Sequence, residues 1–131
     1  MIKTTLPVVE KSINDKNELV TVEKQIDVVI DTSLFAEERW EKHFPFNARN
    51  ETLFAYIERM TNERKLEDKA SVLSNLKALY CFMEGDAIPD FKSFCQMFDL
   101  TGGGHLEKLI EKIKFVFNLV LSDSAVSSKN S

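Results

Sequence analysis

The sequence contains no uninterrupted apolar run that approaches the roughly 18 residues of a membrane-spanning helix. Its first residues, MIKTTLPVVEKS, also lack the continuous apolar region of a signal peptide. We therefore expect a soluble protein that remains in the cytoplasm and does not bind a membrane.

Basic charge is also scarce. The chain carries 17 Lys and Arg against 21 Asp and Glu, a formal net charge of −4 at pH 7, and the two signs are mixed along most of the sequence. A protein that neutralises nucleic-acid phosphates needs a cluster or stripe of basic residues. The sequence has no such stripe, so we expect no direct contact with nucleic acid.

Residues that usually build catalytic or metal sites are few. Cys81 and Cys95, the two cysteines, fall on apolar sides of helical stretches, which is typical of small buried thiols. The glutamates near His43 lie on other faces of the predicted helix. The TGGG stretch before His105 follows a Phe-rich helix and is not followed by the lysine of a phosphate loop, so it is interpreted as a hinge. We predict no catalytic residues, no metal and no cofactor.

A strand pattern occupies the beginning of the chain. Apolar and polar residues alternate along residues 20–30, which is typical of a strand with one buried face. The apolar side of this strand consists of Val20, Val22, Ile26, Val28 and Ile30. LPVVEKSI is a weaker extended segment before it, and NDKNE between the two favours a turn. These features predict a β-hairpin over about residues 6–30.

A helical period begins after Asp31 and continues through most of the chain. The first predicted helix runs from about Leu34 to His43, and the second begins after a cap at Asn50. The third runs from about Leu66 to Gly85, the fourth begins at Pro89 or Asp90, and the fifth runs from about His105 to Leu121. Residues 122–131 are polar, small and aperiodic, and we predict a disordered tail. The fold class is therefore mainly α: about five helices with a short N-terminal hairpin, in one compact domain over residues 1–121.

Some large apolar residues fall outside the predicted core faces. On the fifth helix, Phe115 and Leu119 are one turn apart, opposite the main apolar stripe and beside Lys108 and Lys112. Phe82 likewise lies off the apolar arc of the third helix. A monomer seldom exposes a contiguous apolar patch, so either another layer of the same domain or a partner covers these residues. The sequence leaves both possibilities open.

Trp40 presents the same question on the first helix. It forms a line with Ala36 and Phe44 at four-residue spacing. An ordinary core tryptophan is the preferred interpretation, and a contact reserved for partners is the alternative.

One long segment resembles a known family. Residues 22–60, VEKQIDVVIDTSLFAEERWEKHFPFNARNETLFAYIERM, resemble the start of tail assembly chaperones encoded by long-tailed phages and prophages of Gram-positive bacteria. Beyond residue 61 the resemblance is one of architecture only. It implies a protein that binds the aggregation-prone tape measure protein, self-associates into rings or spirals in the bacterial cytoplasm, and is absent from the mature virion. The tail tube protein would be a further partner.

The resemblance implies no catalytic residues, and the aromatic residues then shape the fold and a protein-binding or self-association surface. The residues predicted for that surface are Phe35, Trp40, Phe44, Phe46, Phe82, Phe115 and Leu119. One alternative is a generic prophage-encoded interaction domain that regulates a host protein. The other is a protein that binds a small molecule through the glycine stretch.

Overall fold

A computed structural model describes residues 1–45, 49–84, 88, 90–99 and 104–130 of the chain, without the side chains of residues 84 and 123–130. A β-hairpin comes first and is followed by helices and one very short strand. The elements are β1 (Ile2–Ile13), β2 (Leu19–Ile30), α1 (Phe35–His43), α2 (Leu53–Asn62), a 3-10 turn (Lys69–Ser71), α3 (Val72–Cys81), β3 (Met83–Glu84), α4 (Phe91–Cys95) and α5 (His105–Asn130).

The predicted hairpin is confirmed, and it is longer than predicted. β1 and β2 pair antiparallel from Ile2 opposite Ile30 to Ile13 opposite Leu19, so the first strand begins four residues before the predicted start. The sheet has the order β1-β2-β3. Five α-helices lie within the described residues, as expected. The class "mainly α" is only partly right, because β1 and β2 contain 12 residues each.

Asn14 explains why the chain turns between the two strands. Its side-chain oxygen accepts hydrogen bonds from the backbone N–H groups of Lys16 and Glu18, both at 2.9 Å. Asn17 adopts a positive φ of 60°, a conformation that asparagine tolerates better than most residues. The polar NDKNE segment therefore forms the turn that its composition predicts.

The third helix differs most from its prediction. It begins at Val72, after the 3-10 turn, and ends at Cys81, whereas the sequence predicts a helix from Leu66 to Gly85. The backbone N–H of Asp31 donates to the carbonyl oxygen of Phe82 at 2.7 Å, and Met83 then pairs with Ile30. The chain leaves the helix because it extends the sheet beside β2.

The second helix is capped by other residues than the predicted Asn50. The hydroxyl of Thr52 accepts a hydrogen bond from a backbone N–H in the first turn at 3.1 Å. The carboxylate of Glu37, on α1, accepts from the backbone N–H groups of Leu53 at 2.7 Å and Phe54 at 3.0 Å. Asn50 instead has a left-handed φ of 49° in the connection. A side chain of one helix thus fixes the start of the next.

The last two helices begin where the sequence predicts. Asp90 caps α4 by accepting a hydrogen bond from the backbone N–H of Ser93 at 2.8 Å. α5 begins at His105 and runs to Asn130, past the predicted end at Leu121. The side chains after Ser122 are outside the described part of the chain, so the disorder predicted for residues 122–131 stays a prediction.

A cluster of buried apolar side chains joins the hairpin to the helices. It contains residues from β1, β2 and each α-helix, among them Leu6, Ile30, Trp40, Ile57, Leu79, Phe94, Ile113 and Phe117. Cys81 is fully buried and Cys95 is half-buried, and both are free thiols. Burial raises the pKa of Cys81 to about 12, so that thiol stays protonated near neutral pH.

Candidate interaction surfaces

Many of the aromatic side chains pack against one another. Ring contacts with centroid distances between 5.1 and 6.4 Å connect, in order, Trp40, Phe44, Phe91, Phe94, Phe98 and His105. This line links α1 to α4 and to the start of α5. Much of the aromatic content of the sequence therefore serves the core.

Trp40 belongs to this core. Only 3% of its surface is exposed, and its Nε1–H donates to the backbone carbonyl of Glu51 at 2.9 Å. Its ring also lies 5.4 Å from that of Tyr56 on α2. The indole connects α1 to the segment that precedes α2, and a partner could not reach it without opening the core. Trp40 therefore occupies the core position that was the preferred interpretation, and not the accessible position that a contact with a partner requires.

Phe82 is also buried, with 3% of its surface exposed. The prediction of a surface position depended on a helix that would continue to Gly85. The helix ends at Cys81, and Phe82 is the residue at which the chain turns into β3. Its side chain contributes to the core and cannot serve as an exposed contact.

The remaining predicted residues near α1 have different positions. Phe35 is 51% exposed, and the guanidinium of Arg39 lies 4.7 Å from its ring centroid. Phe44 is half-buried against the core, with its ring 5.2 Å from that of Phe91. Phe46 lies outside the described residues. Of the described residues in this predicted surface, Phe35 and part of Phe44 are accessible, and the prediction for Phe46 is not tested.

Two predicted residues on α5 do remain accessible. Phe115 is 43% exposed and Leu119 is half-buried. The Nζ of Lys112 lies 5.2 Å from the Phe115 ring centroid and donates to the hydroxyl oxygen of Thr4, in β1, at 3.0 Å. Among the described residues no carboxylate lies within ion-pair distance of Lys112. We call Lys112, Phe115 and Leu119 the α5 patch.

The distal part of the hairpin is a second exposed apolar region, and sequence reasoning missed it. Every residue from 10 to 25 is exposed except the half-buried Val20, and we call this segment the arm. Ile13 and Leu19 face each other at the end of the ladder, and each is 61% exposed. Val22, predicted on the buried face of the strand, is 43% exposed. The feature of the sequence that could have predicted this region is the pair of bulky apolar residues, Ile13 and Leu19, on either side of the polar turn.

In the described part of the structure, the bonds between the arm and the other elements lie at its base. The N–H of Val9 donates to the carbonyl of Met97 at 2.9 Å, and Lys11 forms an ion pair with Asp99. On the other strand, Glu23 pairs with Lys108 at 2.6 Å. Within the described part of the chain, no hydrogen bond or ion pair joins residues 12–22 to another element. The apolar tip therefore extends into solvent.

His105 is a buried histidine at the start of α5. Only 1% of its surface is exposed, and neither ring nitrogen has a hydrogen-bond partner in the described structure. Its Nδ1 lies 3.7 Å from a carboxylate oxygen of Glu23, beyond hydrogen-bond distance, and Phe98 stacks on its ring. Burial, partly offset by Glu23 and Asp99, lowers the pKa of His105. The ring is held neutral near pH 7.

The other places considered for chemistry offer little geometry. His43 is exposed and makes an edge contact with the Tyr80 ring at 5.4 Å. No group of three or more metal-binding side chains is found among the described residues. Residues 101–103 of the glycine stretch lie outside the described part, and Gly104 has a φ of 79°. No helix in the described ranges has the length and apolar character to cross a membrane.

Comparisons with known proteins give no match. The chain matches no family model, no curated protein and no solved structure. The resemblance of residues 22–60 to tail assembly chaperones therefore stays a hypothesis, and the exposed apolar surfaces are the structural observations from which a function can be argued.

Proposed function

We propose that this chain is a tail assembly chaperone of a long-tailed phage or prophage. It binds the tape measure protein in the cytoplasm of the bacterial host and keeps it soluble until the tail tube protein encloses it. The chaperone itself is absent from the mature virion. The observation that carries the proposal is the exposure of large apolar side chains in two separate regions, the arm and the α5 patch. The resemblance of residues 22–60 supports the identity of the client.

The mechanism follows from the physics of an exposed apolar helix. A tape measure chain with long amphipathic helices presents apolar seams that aggregate unless they are covered. Covering about 400 Å² of apolar surface contributes about 10 kcal/mol, at about 25 cal/mol per Å², before the large entropic cost of association. Several copies bound along one client add their weak contacts through effective concentration. Self-association and client binding therefore reinforce each other.

Co-expression with the tape measure protein tests the proposal. We expect the chain to raise the soluble yield of that protein severalfold, and Phe115→Ser with Leu119→Ser to reduce the gain. Leu73→Ser is the matched control, because Leu73 is 57% exposed on α3 and belongs to neither the arm nor the α5 patch. An unchanged soluble yield would refute the chaperone function. Specific capture of a host protein in its place would support the alternative, a regulator of a host protein.

Two further observations separate the competing functions. The gene should lie between a tube gene upstream and a very long reading frame downstream. A phosphate-dependent rise in the melting temperature would instead favour a small-molecule site at the glycine stretch, because only a ligand that binds the folded state stabilises it.

A further inference from the structure

We propose that the arm of one copy docks on the α5 patch of a second copy, so that copies join head to tail. The inference rests on the self-association in the proposed function and specifies its surfaces, and it can be tested without any client. It depends on three properties of the structure: the chemistry of the arm, the distance between the two surfaces, and the charges around them.

The tip of the arm is apolar on both faces. Ile13 and Leu19 are directly opposite in the ladder and therefore point to the same face, whereas Val22 points to the other face. An isolated two-stranded ribbon has marginal stability in water. A ribbon with an apolar tip is therefore stabilised when a groove or patch covers it.

At the base of the arm, the edges of the hairpin are protected against backbone pairing, which favours docking through the side chains of the tip. On β1 the outward N–H of Val9 is bonded to Met97, and Pro7, two residues earlier on the same edge, has no N–H to donate. β2 carries Glu23 and Asp27 along its length beyond the two pairs that it makes with β3. Charged residues and proline on edge strands oppose sheet extension. We expect the exposed apolar side chains of the tip to make the contact.

The arm cannot reach the α5 patch of its own chain. Lys112, in the patch, is bonded to Thr4, which lies nine residues from Ile13 along the same strand. At about 3.3 Å per residue the tip is about 30 Å from that contact. A second copy is therefore needed to bring the two surfaces together. Because different surfaces meet, a pair of copies keeps one free arm and one free patch, and repetition of the contact builds a ring or a spiral.

The two surfaces differ in the sign of their charge: the turn at the arm tip carries Asp15, Lys16 and Glu18 and is net negative, whereas the α5 patch contains Lys112. Asp15 and Glu18 flank the arm tip and have no ion-pair partner within the described residues. Lys112 has no carboxylate partner there either, and its Nζ contacts the Phe115 ring and donates to the hydroxyl of Thr4. Placing this net negative turn beside Lys112 orients the apolar contact.

The experiment measures the mass of the full chain in solution by light scattering after gel filtration. The arm variant carries Ile13→Ser with Leu19→Ser, and the patch variant carries Phe115→Ser. We expect the wild-type chain to form species larger than a dimer and each variant to fall to the 15.0 kDa monomer. An equimolar mixture of the two variants should give a dimer of twice that mass, because each variant supplies one intact surface. Leu73→Ser should keep the wild-type mass.

Several results would overturn the inference. The first is a wild-type chain that is monomeric at every concentration. The second is a variant that keeps the wild-type mass, as the patch variant would if the contact were a symmetric one between two arms. The third is a mixture that stays monomeric. If a serine variant unfolds, an exchange of charges tests the contact in its place. Glu18→Lys and Lys112→Glu should each reduce the mass of the assembly, and the variant with both changes should restore it. Failure to restore it contradicts the contact. Soluble yield of the tape measure protein is a separate readout, so either proposal can fail while the other stands.

Discussion

Replacing Trp40 by alanine tests whether the aromatic segment around residues 39–60 belongs to the core or to a partner surface. The indole is 3% exposed, contacts the rings of Phe44 and Tyr56, and donates from Nε1 to the carbonyl of Glu51 at 2.9 Å. The change therefore removes a large buried side chain and one hydrogen bond at the same time.

The expected loss of unfolding free energy is about 3 to 5 kcal/mol, the range for truncating a buried tryptophan or phenylalanine to alanine. The hydrogen bond from Trp40 to Glu51 accounts for about 0.5 to 1.5 kcal/mol of this loss. Trp40→Phe keeps an aromatic ring but cannot donate, so it should cost about 1 to 2 kcal/mol. The alanine variant should melt about 10 to 20 °C lower than the wild-type chain.

Urea unfolding followed by far-ultraviolet circular dichroism provides the measurement. Fluorescence is unsuitable, because Trp40 is the single tryptophan and the variants lack it. The slope of the unfolding free energy against urea concentration should be the same for variant and wild type if only stability changes. A loss below about 1 kcal/mol for Trp40→Ala would refute the argument, since it lies well below the core-truncation range. Full stability combined with a loss of self-association would identify Trp40 as a partner contact.

Glu37→Ala should lower the free energy of unfolding in urea by about 1 to 2 kcal/mol, because the Glu37 carboxylate accepts two backbone hydrogen bonds at the start of α2. The control Glu38→Ala, at an exposed position, should change it by less than about 0.5 kcal/mol. Equal effects of the two changes would contradict the capping role of Glu37. The pKa of His105 is lowered in the folded chain, so the unfolded chain binds a proton at this residue more readily. The contribution of His105 to stability is therefore complete above about pH 6.5 and is lost as the pH falls below that value. His105→Phe should flatten this part of the stability profile, and an unchanged slope would exclude His105 as its source. Deleting residues 122–131 should leave the melting temperature within a few degrees, and a larger drop would show that the segment packs.

The elements that were predicted correctly depend on local chemistry. The β2 alternation, the turn at Asn14 and the cap at Asp90 each involve residues close in sequence, so their signals can be read without knowing the fold. The apolar stripe of α5 was found for the same reason: a helix repeats its facing positions every three to four residues. Local hydrogen bonds and periodicity decide where such elements begin and which face is apolar.

Tertiary structure decided the rest. The period of α3 could continue past Cys81, and only the pairing of Met83 with Ile30 converts that stretch into a strand. The same alternating pattern is buried at Val28 and exposed at Val22, because the helices cover one end of the hairpin and not the other. Local sequence patterns were enough to predict the two hairpin strands, the turn between them and the apolar face of α5. Which apolar residues of the hairpin became core and which became the arm depended on how far the packed helices extend, a distance that no local pattern encodes.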